Sequence, residues 1–165
     1  MISGKVVILL AALVVVFLII ALLSGKKDSW GPKPLLTQNE REFFDRLLEA
    51  LPDFHIFPQV AFRAILRPAS ESGSKAYTRQ SGRIGAKHCD FLICTTDLDV
   101  VVIIELDDRT HVAEKDAARD AMTASAGYPT IRYQSKSKPR PAKIRLDVLA
   151  VAEKANAPLK LKAAQ

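Results

Sequence analysis

His88-Cys89-Asp90-Phe91-Leu92-Ile93-Cys94 and Val100-Val101-Val102-Ile103-Ile104-Glu105-Leu106-Asp107-Asp108-Arg109-Thr110-His111 decide how this chain folds and where its chemistry lies. Two apolar runs separated by Thr95-Thr96-Asp97-Leu98-Asp99 read as a β-hairpin. Leu92, Cys94, Val101 and Ile103 fall on one face, and Phe91, Ile93, Val102, Ile104 and Leu106 on the other. Strands that are apolar on both faces belong in the middle of a sheet with helices above and below. If the hairpin closes symmetrically about residues 97 and 98, Asp90 lies opposite Glu105, with Cβ atoms about 5 Å apart. Asp107, two residues further on, points to the same face. Three carboxylates then converge at one end of an otherwise apolar hairpin. Uncompensated, they repel one another and are costly to desolvate. A hard divalent cation, Mg²⁺ or Mn²⁺, resolves the conflict, because it takes oxygen ligands from a few carboxylates, water and phosphate. The plain alternative is a polar strand end in solvent, where acids are cheap.

The surrounding charge is segregated. From Asp90 to Asp120 there are nine acids against Arg109, Lys115 and Arg119, while residues 63–87 and 132–145 hold six basic residues each, with Glu71 the only acid. An acidic centre between basic arms suits a polyanion held by its phosphates over a metal; solvated basic loops are the bland alternative.

Outward from the hairpin, Thr37-Gln38-Asn39-Glu40 matches a capping box, and Phe43, Phe44, Leu47, Leu48 and Leu51 follow at helical spacing until Pro52. Glu40 is a fourth acid, but the cap already explains it. Ile56–Leu66 has the partial alternation of a strand, and Arg67–Lys87, rich in Pro, Ser, Gly and cations, reads as an exposed basic loop. Val112–Ala126 is an alanine-rich helix stopped by Gly127, Thr130–Tyr133 a short strand, and Pro141 opens a last helix running to about Ala155. The order is α-β-β-β-α-β-α.

The N-terminus differs in kind. Val6–Leu23 is 18 consecutive apolar residues, about 27 Å of helix, close to the thickness of a bilayer's hydrocarbon core. A single-pass anchor is the expectation. A cleaved signal peptide is the rival, although the run is long and lacks a small-x-small cleavage site. Lys26, Lys27 and Lys33 follow the run and only Lys5 precedes it, which places the rest of the chain on the cytoplasmic side of the inner membrane. Cys89 and Cys94, five apart on one strand, would face opposite ways and leave no disulfide framework, consistent with a reducing compartment. The formal charge of +6 misleads, since three of those charges, Lys5, Lys26 and Lys27, flank the apolar run. The expected organisation is an anchor over 1–27, a linker over 28–36, an α/β domain over 37–155 and a tail over 156–165.

Thr37–Glu40 with Phe43-Phe44, Pro58-Gln59-Val60, His88-Cys89-Asp90-Phe91, Ile104 through His111, Ala118-Arg119-Asp120 and Ala126-Gly127 resemble the bacterial domain-of-unknown-function family 2726. That family belongs to the PD-(D/E)XK nuclease-like superfamily and is similar to very-short-patch repair endonucleases; the resemblance covers about residues 35–135. It implies a restriction-endonuclease-like α/β core with an added C-terminal helix, and metal-dependent hydrolysis of phosphodiester bonds in DNA or RNA. Asp90 and Glu105 match the superfamily's metal-binding acids, with the Leu106 carbonyl as a further ligand. Asp107 stands where the superfamily motif has its lysine. The resemblance therefore gives Asp107 and His111 assisting catalytic roles and makes Lys87, Lys115 or Arg119 the displaced cation, with Lys87, Arg109, Lys115 and Arg119 contacting nucleic acid. The missing lysine also motivates an alternative, a catalytically inactive module of the same fold that binds nucleic acid or a protein at the membrane.

Overall fold

The computed structural model describes residues 3–23, 29–107 and 113–154. The chain divides into two units, Met1–Lys33 and Pro34–Gln165.

The first unit contains helix α1 (Gly4–Leu23), with apolar side chains such as Ile8, Leu13 and Phe17 exposed around its circumference. Among the described residues no helix is long and apolar enough to cross a membrane. The run expected as a span, 6–23, lies within α1, whose side chains are described over residues 4–20.

In the second unit, α2 (Gln38–Ala50) starts on the expected capping box: Glu40 N–H donates to Thr37 Oγ1 (3.3 Å) and Thr37 N–H to a Glu40 carboxylate oxygen (2.6 Å). Thr37→Ala is expected to cost about 1 kcal/mol, measured as a shift in the denaturation midpoint. Strand β1 (His55–Ala61) follows, and the chain then turns into the one-turn helix α3 (Phe62–Ile65). This corrects the expected strand over 56–66. Phe62 and Leu66 are both buried four residues apart, a helical spacing that the β-branched neighbours disguise.

The second correction is α4 (Lys75–Ile84), which occupies the segment read as a loop. Its only buried residue is Ile84, so no apolar stripe announces it. It is nucleated by Ser74, whose Oγ accepts from Tyr77 N–H (3.0 Å), and tied down by Gln80, whose side-chain oxygen accepts from Ser70 N–H (3.3 Å).

Strands β2 (His88–Cys94) and β3 (Val100–Asp107) form the predicted hairpin, and β4 (Thr130–Gln134) joins β3 in parallel after helix α5 (Ala113–Ser125). The sheet order is β1-β2-β3-β4, so β2 and β3 are its two central strands, as their apolar faces require. Pro141 opens α6 (Pro141–Lys154). Helices α2 and α6 cover one face through Phe43, Leu47, Ile144 and Val148 against Phe91, Val102 and Ile104. Phe43 sits 5.8 Å from Phe91 and 5.6 Å from Tyr133 between ring centroids, contacts worth about 1 kcal/mol each beyond their burial. Phe62, Leu66, Ile84 and Met122 cover Leu92 and Ile103 on the other face.

Cys89 and Cys94 are free, but both are buried in this second cluster rather than on opposite faces. Distance keeps them apart: five residues of strand extend about 17 Å, beyond the reach of a disulfide.

Candidate active site: a buried carboxyl pair under Arg119

The hairpin register is Phe91↔Ile104, Leu92↔Ile103 and Ile93↔Val102, with an irregularity only near the turn, between Ile93 and Cys94. One step beyond Phe91↔Ile104, this register sets Asp90 against Glu105. Asp90 is half-buried, and its Oδ2 accepts from the Leu106 N–H at 2.8 Å. Glu105 is only 3% exposed. The two carboxyls face each other closely enough that each influences the proton affinity of the other.

Burial raises the Asp90 carboxyl, helped by the charge of Glu40 and opposed by the Leu106 N–H, Glu105 and Arg119. Burial and then the Asp90 charge push Glu105 up to about 8, against the pull of Arg119 and Arg132. Burial and the neighbouring acid thus favour the protonated form of Glu105, and Arg119 favours the ionised one.

Arg119, on α5, reaches over this pair. Its Nη2 donates to Glu105 Oε1 (2.5 Å) and to the His88 carbonyl (3.1 Å), and its guanidinium lies 5.7 Å from the centre of the Phe62 ring. Its Nε is buried with no hydrogen-bond partner among the described residues. Arg119, expected as the displaced cation or a nucleic-acid contact, thus stands beside Glu105, carried there by α5.

Asp107 does not join the pair. Arg132 on β4 takes its Oδ1 from Nη1 (2.8 Å) and grips Asp120 through Nε and Nη2 (3.1 and 2.8 Å). Among the described residues no three His, Cys, Asp or Glu side chains could hold a metal together, which corrects the expected convergence of three carboxylates to two. Two carboxylates still suit Mg²⁺, which completes its shell with water and substrate phosphate, and Asp90 and Glu105 are the donors such an ion would use.

Gln59 and Glu40 approach from the edge strand β1 and from α2. The β1–β2 register, Pro58↔Phe91 and Val60↔Cys89, sets Gln59 beside Asp90. Gln59 has φ of 53° and donates from Nε2 to Glu40 Oε1 (3.0 Å). Left-handed backbone at a non-glycine residue is strained and concentrates at functional positions. Glu40 therefore has two roles, the cap read from sequence and a place near Asp90 that the capping motif concealed. The only sequence signal for Gln59 was its place in Pro58-Gln59-Val60.

Lys87, just before β2, donates from Nζ to the Arg83 carbonyl (2.8 Å). Arg109 and His111 lie outside the described residues, as does the side chain of Lys115 at the start of α5.

A four-stranded sheet sandwiched by helices, with a carboxyl pair and an arginine at one end of its central hairpin, defines a mixed α/β domain with an acidic site. The chain belongs to the family described as Protein of unknown function (DUF2726), whose profile matches residues 32–151. No curated protein and no solved structure matches it.

Proposed function

We propose that the domain is a Mg²⁺- or Mn²⁺-dependent nuclease that hydrolyses phosphodiester bonds in DNA or RNA, and that residues 6–23 anchor it in the inner membrane with the domain facing the cytoplasm. The observation that carries this reading is the Asp90–Glu105 pair: a half-buried and a buried acid side by side at the hairpin end, both with raised proton affinity, a state that a bound cation would relieve. A divalent ion bound there supplies an activated water and neutralises phosphate charge. Arg119 orients Glu105 and brings from α5 the positive charge that the superfamily motif draws from the lysine replaced by Asp107. Arg132 pairs with Asp107, and His111 and the Leu106 carbonyl are the further groups expected to assist. For the anchor, the support is 18 apolar residues without a charge or proline in a helix with its apolar side chains exposed.

The inactive-module reading is favoured by one feature, the arginine already neutralising Glu105. The full chain in detergent, incubated with labelled DNA and RNA oligonucleotides, separates the two. Cleavage with Mg²⁺ or Mn²⁺ that EDTA stops supports the nuclease, and no turnover of either substrate under both metals removes it. For the anchor, retention in the membrane fraction after alkaline carbonate extraction is the expected result, and release would refute it.

A further inference from the structure

We propose that Lys75, Arg79 and Arg83 on α4, with the groove beside them, form a docking track for single-stranded nucleic acid that leads to the Asp90–Glu105 pair; this rests on the phosphodiesterase reading above. The three residues recur every fourth position and so stand on one side of the helix, over about 12 Å. All three are exposed, and none forms an ion pair among the described residues. Like charges at this spacing repel one another along a helix, and Lys75 in the first turn opposes the helix dipole. A polyanion along the ridge relieves both penalties.

More positive charge is gathered at the C-terminal end of α4. Arg63 donates from Nε to the Gly85 carbonyl and from Nη2 to the Ser81 carbonyl (3.2 Å each), and Lys87 is fixed on Arg83. From this end the chain runs into β2. Gly85, Ala86 and Lys87 lead into His88, whose carbonyl Arg119 holds, and Lys87 is within about 10 Å of Asp90 along the extended chain.

Beside the ridge runs an open groove of about 870 Å³ between the α3–α4 connection and α5. Arg67 and Arg83 line it together with Ile65, Leu66, Met122 and Tyr128. Apolar and aromatic side chains beside arginines suit unstacked bases and their phosphates. A duplex or an anionic membrane surface would engage the ridge and leave the groove unused.

Fluorescence anisotropy of a labelled single strand with the full chain in detergent and EDTA, across a salt series, tests this. The triple change Lys75→Gln, Arg79→Gln and Arg83→Gln is expected to weaken binding at least about tenfold at low salt and to flatten the log–log salt slope by about 2, at about 0.7 per lost phosphate contact. Ala121→Trp, which fills the groove without altering charge, should weaken binding and leave that slope unchanged. The replaced residues are exposed, so both variants should melt like the parent. Unchanged affinity in either variant, equal affinity for duplex, or a triple variant that loses only binding to phosphatidylserine vesicles would overturn the track. Asp90→Asn separates the two readings: it should bind the strand normally without cleaving it. Ridge-dependent binding by a parent chain that never cleaves would defeat the nuclease reading and leave the track standing.

Discussion

Asp90→Ala and Glu105→Gln variants of the full chain are each expected to lose at least about 10³-fold in metal-dependent phosphodiester turnover, equivalent to about 4 kcal/mol of transition-state stabilisation. The reasoning is local. Asp90 and Glu105 are the two carboxyls that meet at the hairpin end, and a divalent ion held there is worth several kcal/mol to a developing phosphorane charge. With two protein donors rather than three, losing either one leaves a single carboxylate, too few to hold the ion in place against bulk water. Neither change should unfold the domain, because Glu105→Gln keeps the shape and the hydrogen bond to Arg119, while Asp90→Ala removes a like charge from beside Glu105. Melting temperatures at or above that of the parent, together with lost turnover, are the expected result. Asp107→Asn should have a smaller effect, since its carboxylate is committed to Arg132. Turnover that survives both acid changes would sink the assignment.

Much of this site was legible in the residues because it depends on local chain geometry. Two apolar runs and a five-residue turn bring Asp90 and Glu105 to the same end of the hairpin, and the irregularity between Ile93 and Cys94 supplies the one-residue shift that sets them opposite each other, since the pairing at the turn is Cys94↔Val100 and beyond it Ile93↔Val102. The capping box at Thr37 with its apolar spacing likewise placed α2, since a helix start and its buried stripe are both written within one turn or two of sequence. What stayed hidden depends on partners distant in the chain. Nothing near Asp107 reveals that Arg132, 25 residues later on a parallel strand, will take its carboxylate together with that of Asp120. Helix α4 was invisible for a different reason: with one buried residue it has no apolar period, and its stability comes from the Ser74 cap and side-chain ties. Glu40 shows a third case, in which one residue satisfies a local motif and serves the site as well, so that the local explanation masks the other.

The metal-free protein is expected to become less stable as pH rises from about 5 to about 9, by on the order of 3 kcal/mol, and Glu105→Gln is expected to abolish most of that slope. Glu105 is 3% exposed, and burial with the neighbouring Asp90 raises its carboxyl from 4.5 to about 8. A group that binds its proton more tightly when folded stabilises the fold only while protonated. Its contribution is whole below pH 4.5 and drains away as the pH climbs through about 8. Arg119 moderates the loss, because the ionised form gains a full ion pair with it, so the expected figure is below that of an isolated buried acid. A divalent cation should act in the opposite sense. It needs both carboxyls deprotonated, so its binding releases protons and its stabilising effect grows with pH: Mg²⁺ should raise the melting temperature clearly at pH 9 and little at pH 5. Thermal denaturation of the full chain and Glu105→Gln in detergent, with EDTA or Mg²⁺ at each pH, provides the measurement. Parallel pH profiles for the two proteins in EDTA would show that Glu105 does not hold the proton, and the same Mg²⁺ shift in both would show that the ion binds elsewhere.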